Sequence, residues 1–315
     1  MSRILEARIE KIPGLRNLMH VTQRIKLPWL QGMSFYDLLE LYLIGVAQGA
    51  ISYRAGAIAW SFFMSLFPFA LFILNLIPYI PIDNFQNDFL RFVEQGVPPQ
   101  TYDAIASILS DIMNNSNSGL LSWGIVLAIL LMSNGLNAIM GGFETSRHVI
   151  IKRGFVRQYV VALGMSLLLS MLLIITIASI VVFEVIIQQT KIQDVLSDRI
   201  PLLSMGRYAF VILMILLTTS ILFKFGIKRD KNRSFISIGS VFTTILIILS
   251  SYFFGIWVVK FATYNELYGS IGTLLIMMFY IWINCMILLL GFELNGTINK
   301  LKRKSHKNQA SEFLD

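Results

Sequence analysis

The chain alternates long apolar runs with short polar segments that carry most of its charge. A helix that crosses a membrane needs about 20 mostly apolar residues. Six runs meet this requirement, and they lie at residues 56–80, 119–142, 159–187, 208–225, 235–259 and 271–294. The third run is longer than a bilayer requires, so its helix is expected to tilt or to project beyond the membrane. The pattern therefore predicts an all-α, polytopic membrane protein with six transmembrane helices.

The composition supports this class. Apolar residues make up 56% of the 315 residues and charged residues 14%, whereas a typical soluble domain has about 45–50% and about 25%. These proportions exclude an ordinary soluble enzyme, and the aromatic share of 12% excludes a disordered chain. The one cysteine, Cys285, excludes a disulfide framework and a thiolate zinc cluster, because both need several cysteines.

The basic residues predict an orientation. The formal net charge is +8, and 21 of the 26 lysines and arginines fall in residues 1–54, around the loops after the second and fourth runs, and in the tail after residue 294. Lysine and arginine accumulate in cytoplasmic segments, so both termini are predicted to be cytoplasmic. This basic rim would attract anionic lipid headgroups, an explanation of the charge that we prefer to nucleic-acid binding. The predicted divisions are residues 1–54, the transmembrane domain 55–294 and the tail 295–315.

Two segments outside the runs carry amphipathic patterns. Residues 1–54 place apolar side chains at helical spacing among basic ones, which predicts amphipathic helices on the cytoplasmic membrane surface. Residues 81–118 carry two apolar stripes on either side of Pro98 and Pro99. This segment is predicted to form an extracytoplasmic helical hairpin between the first and second spans. It is either a solvated connection or a lid over a cavity.

Polar side chains within the runs are the candidates for a substrate pathway. Such groups are costly in hydrocarbon and tend to face the interior of a helix bundle. A proline within a span also frees a backbone carbonyl, which needs a partner or a water-lined cavity. The candidate pathway residues are Ser65, Pro68, Asn75, Asn134, Asn137 and Asn284. The alternative for the hydroxyls and amides is that they join helices or bond their own backbone.

Three charged residues are predicted to have structural roles. Arg54 and Glu293 both fall at the cytoplasmic edge, where a salt bridge would connect the first span to the last. Glu184, near the outer end of the third span, is expected to reach water or to pair with Lys191 or Arg207.

Signatures of catalysis and of ion conduction are missing. The three histidines are isolated, and no spacing typical of a metal site, a phosphate-binding loop or a nucleophile elbow is present. The spans hold no run of carboxylates or arginines of the kind that pumps and voltage sensors use. The sequence therefore predicts no catalytic residues, no metal and no cofactor.

Short motifs in a particular order carry a family resemblance. They are Ala57-Ile58-Ala59, Ser65-Leu66-Phe67-Pro68, Leu136-Asn137-Ala138-Ile139, Tyr264, Tyr268-Gly269, Trp282 and Leu290-Gly291-Phe292-Glu293. With these motifs the chain resembles the YihY/virulence factor BrkB family over roughly residues 37–300. The resemblance implies structural or interface roles for Tyr268, Gly269, Trp282 and Gly291. The family's usual proline after the Tyr-Gly pair is missing here, which puts a kink in the sixth span in doubt.

The resemblance also implies a bacterial inner-membrane protein of the cell envelope. Members formerly carried the name ribonuclease BN, but hydrolysis of RNA needs a metal site or a water-facing acid/base pair, and this sequence offers neither. The sequence predicts a transporter or flippase-like protein for a lipid or amphipathic envelope molecule. The alternative is an envelope scaffold or assembly factor that binds partner membrane proteins or further copies of itself. A lipid-modifying enzyme is a third reading, with Glu293 as its one candidate residue.

Overall fold

The computed structural model describes residues 34, 36, 50–76, 85–96, 118–146, 149, 153–192, 199–228, 234–260 and 270–312. The amphipathic helices predicted before residue 50, the second stripe of the outer hairpin, and Tyr268 and Gly269 lie outside these residues. The described part of the chain contains seven helices. They are α1 (Ile51–Leu76), α2 (Phe85–Gly96), α3 (Ser118–Glu144), α4 (Phe155–Ile192), α5 (Arg199–Phe225), α6 (Ile238–Lys260) and α7 (Ser270–Glu312).

Four segments of the described chain are helical, long and apolar enough to cross a membrane. They are Phe155–Phe183, Met205–Phe225, Ile238–Trp257 and Leu274–Lys300, which belong to α4, α5, α6 and α7. Helices α1 and α3 coincide with the first two predicted spans and have 26 and 27 residues. The protein is therefore an α-helical membrane protein, in agreement with the predicted class.

The helices extend beyond the apolar runs that predict them. Helix α4 has 38 residues, and α7 has 43 and continues to Glu312, well past the predicted end at residue 294. Helix α5 begins at Arg199, and its first turn contains Pro201, where a missing N–H group is tolerated. Hydropathy identifies only the part of a helix that suits hydrocarbon. The helical hydrogen bonds continue into the polar flanking sequence where no residue interrupts the helix. Helix α1 likewise runs through Pro68 without interruption.

Six of the helices form a closed ring. Around the ring, α1 contacts α3, α3 contacts α4, α4 contacts α5, α5 contacts α6, α6 contacts α7, and α7 returns to α1. The short helix α2 lies outside the ring against α4, where Phe85 and Phe89 pack on Val181. The first helix of the predicted hairpin is thus present, with its apolar stripe on α4.

Two neighbouring pairs in the ring approach closely because glycine lies between them. In the first pair, α1 and α3, Gly135 faces Ser65 and Gly142 faces Ile58. In the second pair, α6 and α7, a Cβ atom at Gly239 would overlap the carbonyl oxygen of Gly291. Small residues at such positions let membrane helices pack backbone against backbone. We refer to these as the α1–α3 pair and the α6–α7 pair.

Candidate functional site

Arg54 connects three helices at one end of the ring. It lies in the first turn of α1, and its Nε and Nη2 atoms donate to the carbonyl oxygen of Gly142, at 3.1 and 2.6 Å. That carbonyl belongs to the last turn of α3, where backbone oxygens have no partner within the helix and the helix dipole favours a cation. The Nη1 atom of Arg54 donates to Oε1 of Glu293 on α7, at 2.7 Å. The salt bridge predicted between these residues is therefore present.

Both oxygens of the Glu293 carboxylate have partners. Oε1 accepts from Arg54, and Oε2 accepts from the hydroxyl of Ser146, 2.9 Å away in the turn after α3. The side chains of Arg54 and Glu293 are only 10% and 3% exposed. A buried charge is tolerated only when it is paired and hydrogen-bonded, which is the arrangement here.

Three aromatic rings pack beside this ion pair. Phe143 of α3 stacks on Phe292 of α7 with ring centroids 4.3 Å apart, and Phe223 of α5 meets both rings edge-on. All three side chains are buried. They bring α3, α5 and α7 together across the interior of the ring. We call the region around Arg54, Gly142, Phe143, Phe223, Phe292 and Glu293 the sealed end.

A second arginine at the sealed end caps another helix. Nη2 of Arg153, which precedes α4, donates to the carbonyl oxygens of Phe225 and Ile227 at the end of α5. Its backbone N–H donates to the buried carboxylate of Glu144, at 3.3 Å. Burial lowers the pKa of the Arg153 guanidinium, and the nearby Glu144 raises it. Arginine stays protonated in either case, so Arg153 is a permanent cation for the α5 terminus.

Buried hydroxyls and one amide join α5, α6 and α7 near the sealed end. The hydroxyl of Thr219 lies 3.3 Å from that of Thr244. The amide of Asn295 accepts from the N–H of Gly239 and donates to the hydroxyl of Ser237, each at 2.8 Å. Among the described residues, three side-chain atoms are buried without a hydrogen-bond partner: Arg153 Nη1, Ser220 Oγ and Thr243 Oγ1. The Thr243 hydroxyl fills the space beside Gly291, so tight packing accounts for it.

Two helix faces that are buried at the sealed end are more exposed towards the opposite end. Leu213 and Ser220 are seven residues apart on α5 and share a face, yet they are 47% and 0% exposed. On α7, Leu274 and Ile281 are likewise seven residues apart, and their exposed fractions are 44% and 8%. We call the region around Ala209 and Leu213 of α5 and Leu274 of α7 the open end. On these two faces, the exposed positions therefore give way to buried ones towards the level of the aromatic rings.

A polar seam follows the contact between α3 and α4. The hydroxyls of Ser133 and Ser166 lie 3.2 Å apart, while Tyr159 donates to the carbonyl oxygen of Leu130 at 3.0 Å. The Tyr159 hydroxyl also lies 3.4 Å from Oδ1 of Asn134. Asn134 itself is exposed, ten residues before the end of α3 and so about 15 Å along the helix. An exposed amide at that depth is costly in hydrocarbon.

The structure disperses the candidate pathway residues. Ser65 is buried between α1 and α3 and donates to its own helix at Phe62, and the amide of Asn284 donates to Tyr280 one turn earlier. Pro68 and Asn137 are half-buried. The side chains of Asn75 and Glu184 lie outside what the structure describes. Of the six candidates, Asn134 and Asn137 remain neighbours on α3, one at the seam and one beside it.

Several residues of the sealed end carry no signal that sequence reasoning used. Gly142 and Ser146 act through a carbonyl oxygen and one hydroxyl, and the three phenylalanines resemble any other apolar residue of a span. The isolated cation Arg153, placed between two apolar runs, could have been recognised as a candidate helix cap. Among the described residues there is no group of three side chains that could hold a metal ion.

The fold and the lipid-facing helices define a polytopic, membrane-embedded α-helical protein. The chain belongs to the virulence factor BrkB family, whose model matches residues 45–313. The ribonuclease-like protein YfkH of Bacillus subtilis (strain 168) is 31% identical over 284 residues, which cover 88% of this chain and 99% of that protein. A UPF0761 membrane protein of Coxiella burnetii (strain RSA 493 / Nine Mile phase I) is 26% identical over 255 residues, 78% and 87% of the two chains. No solved structure matches the chain.

Proposed function

We propose that this protein is a transporter or flippase-like protein for a lipid or another amphipathic molecule of the bacterial envelope. The observation that carries the proposal is the change in exposure along α5 and α7, from which we infer a recess that is accessible at the open end and closed at the sealed end. A pathway closed at one end is the form expected of a protein that admits a molecule from one side at a time. The exposed positions on these faces, such as Leu213 and Leu274, are apolar, which suits an apolar portion of the substrate.

The polar seam suggests where a headgroup could travel. Asn134 is exposed on a helix that otherwise presents leucine and valine to its surroundings. An amide and a tyrosine hydroxyl at this place could replace part of the water around a polar headgroup. We therefore retain Asn134 and Asn137 as pathway residues, with Ser65, Pro68, Asn75 and Asn284 as further candidates.

The proposed topology has six crossings in the bacterial inner membrane, with α1 and α3 added to the four long apolar helices. The lengths of α1 and α3 exceed the roughly 20 residues that a bilayer requires. In this topology the sealed end, with Arg54 and Arg153, would lie at the cytoplasmic side, as the positive-inside rule favours, and anionic lipid headgroups would gather there.

The alternative, an envelope scaffold, has its own support. Most of the Ser and Thr hydroxyls in α4 and α5 bond carbonyl oxygens of their own helix, as Ser170 and Thr218 do. Such internal pairing is what a static bundle that binds other membrane proteins, or another copy of itself, would show. An assay of lipid movement separates the two functions.

That assay uses the purified full chain in liposomes that contain fluorescent anionic or zwitterionic lipids. Loss of outer-leaflet label is followed with and without an imposed ion gradient. Leu213→Trp would fill the recess, while Val211→Trp adds the same ring on the opposite face of α5. We expect the wild type and Val211→Trp to move lipid and Leu213→Trp to be slow. A folded wild type that moves none of these lipids would favour the scaffold.

A further inference from the structure

We propose that the sealed end is a gate, and that Glu293 is the contact by which it opens and closes. In this mechanism the α6–α7 pair moves away from the α1–α3 pair, which connects the recess to the side of the membrane that carries Arg54. The inference rests on the proposed transport function, because it describes how the same recess would reach its second side.

Each pair is built to move as a unit. Within the α6–α7 pair, Gly239 and Gly291 approach backbone to backbone, and Asn295 of α7 bonds Gly239 and Ser237. Within the α1–α3 pair, Gly142 receives Ile58 and its carbonyl oxygen holds Arg54. Separating the α6–α7 pair would break this backbone approach, and separating the α1–α3 pair would remove side chains that fill the space beside Gly135 and Gly142.

The contact between the pairs at the sealed end includes an ion pair and an aromatic stack. Glu293 meets Arg54 and Ser146, and beside it Phe292 stacks on Phe143. If Glu293 withdraws, Arg54 keeps its two hydrogen bonds to the Gly142 carbonyl oxygen. The cation is therefore satisfied in both positions, and the cost of opening falls on a carboxylate that water or a cation can then solvate.

The one cysteine of the chain is a native reporter for this movement. Cys285 is buried on α7, and it shares a face with Phe292, seven residues further along. A water-soluble maleimide can reach this thiol from the Arg54 side only when the aromatic rings part. The rate of Cys285 modification in vesicles of each orientation therefore measures opening of the gate without any transported substrate.

The test compares the wild type with Glu293→Gln. Loss of a charge-assisted hydrogen bond favours opening by about tenfold or more, so we expect modification from the Arg54 side to accelerate by at least that factor. The matched control is Glu144→Gln, which also neutralises a buried carboxylate at the sealed end. Glu144 accepts a hydrogen bond from Arg153 and is not part of the contact with the α6–α7 pair. We expect the control to stay within about twofold of the wild type, as substitutions away from the contact do.

An unchanged rate in folded Glu293→Gln would overturn the gate, as would equal acceleration from both sides, which signals general loosening. If Glu293→Gln fails to fold, Ser146→Ala removes one neutral partner of the carboxylate and should accelerate modification about threefold. An unchanged rate in that variant would also overturn the gate. The two proposals can fail separately. Lipid movement with unchanged Cys285 labelling in Glu293→Gln rejects only the gate. Altered Cys285 labelling without transport of any substrate rejects only the transport function.

Discussion

The sealed end and the open end differ in how the same six helices meet. At the sealed end, glycine lets backbones touch, two arginines cap helix ends, and aromatic rings cross the interior. At the open end, side chains on the same helical faces are exposed, as Leu213 and Leu274 show. Side chains on these faces are thus confined by neighbouring helices at the sealed end and more exposed at the open end.

This difference suggests how the membrane-embedded bundle holds one conformation. In hydrocarbon the hydrophobic effect does not drive helices together, so close packing and hydrogen bonds must do so. Close approach at Gly142, Gly239 and Gly291 is found at the sealed end, while α6 and α7 also meet further along through the Ser251–Tyr280 hydrogen bond and a group of aromatic rings. Substitutions at matched positions of one helix, one at each end, should therefore have very different costs.

The largest difference is expected between two glycines of α6. Gly239→Leu places atoms where the carbonyl oxygen of Gly291 lies, and backbone cannot yield as a side chain can. We expect the free energy of unfolding to fall by about 5 kcal/mol, the range of severe overpacking. Gly255→Leu, on the same helix at the open end, meets nothing within 4 Å and should change it by less than about 1 kcal/mol. Unfolding in mixed detergent micelles measures both, and equal effects would refute the comparison.

A slightly smaller contrast is expected for two phenylalanines. Phe143→Ala empties the centre of the aromatic group and should lower the free energy of unfolding by about 4 kcal/mol through lost contacts and a cavity. Phe253 is exposed on α6, so removing its ring leaves no enclosed cavity. Phe253→Ala should therefore lower the free energy of unfolding by about 1 kcal/mol or less. Thermal unfolding of the two variants in one detergent gives the comparison, and a costly Phe253→Ala would place a second core at the open end.

How much of this could be predicted from the sequence differs between the helices and their contacts. Helix positions follow from apolar runs because backbone groups in lipid must bond internally. The Arg54–Glu293 pair was also predictable, since two opposite charges at the edges of spans have few other partners. The ends of the helices were harder to predict. Helix α7 continues through a lysine-rich sequence, because hydropathy changes there and helix propensity does not.

The sealed end itself could not be predicted, because its parts depend on which helices are neighbours. Gly142 and Gly291 look alike in the sequence, yet Gly142 faces the side chain of Ile58, whereas Gly291 faces the Thr243 hydroxyl and the Gly239 backbone. Asn134 and Asn284 look equally suited to a pathway. In the structure one is exposed at the α3–α4 seam, and the other bonds its own helix.

The depth of the recess can be tested on one face of α5. Ser220→Leu enlarges a fully buried side chain beside Phe223, so we expect a loss of about 1–3 kcal/mol in the free energy of unfolding. Leu213→Phe, seven residues away on the same face, should change it by about 0.5 kcal/mol or less, since the position is exposed. Chemical unfolding of both variants would locate the floor of the recess. If Leu213→Phe is as costly as Ser220→Leu, the recess is already filled at that level.

The smallest effect on stability is expected at the polar seam, where it gives the most direct information on function. Asn134→Leu removes an exposed amide whose contact with Tyr159 is long, and hydrogen bonds between membrane helices average about 0.6 kcal/mol. Loss of the costly exposed amide offsets this, so the free energy of unfolding should change by less than about 1 kcal/mol.

A double variant with Asn137→Leu should remain folded and yet move fluorescent lipid more slowly than the wild type. Ser250→Ala, which removes a hydroxyl bonded within α6, is the control. Full lipid movement by the folded double variant would mean that headgroups do not use the α3–α4 seam, and it would leave the recess as the pathway to test.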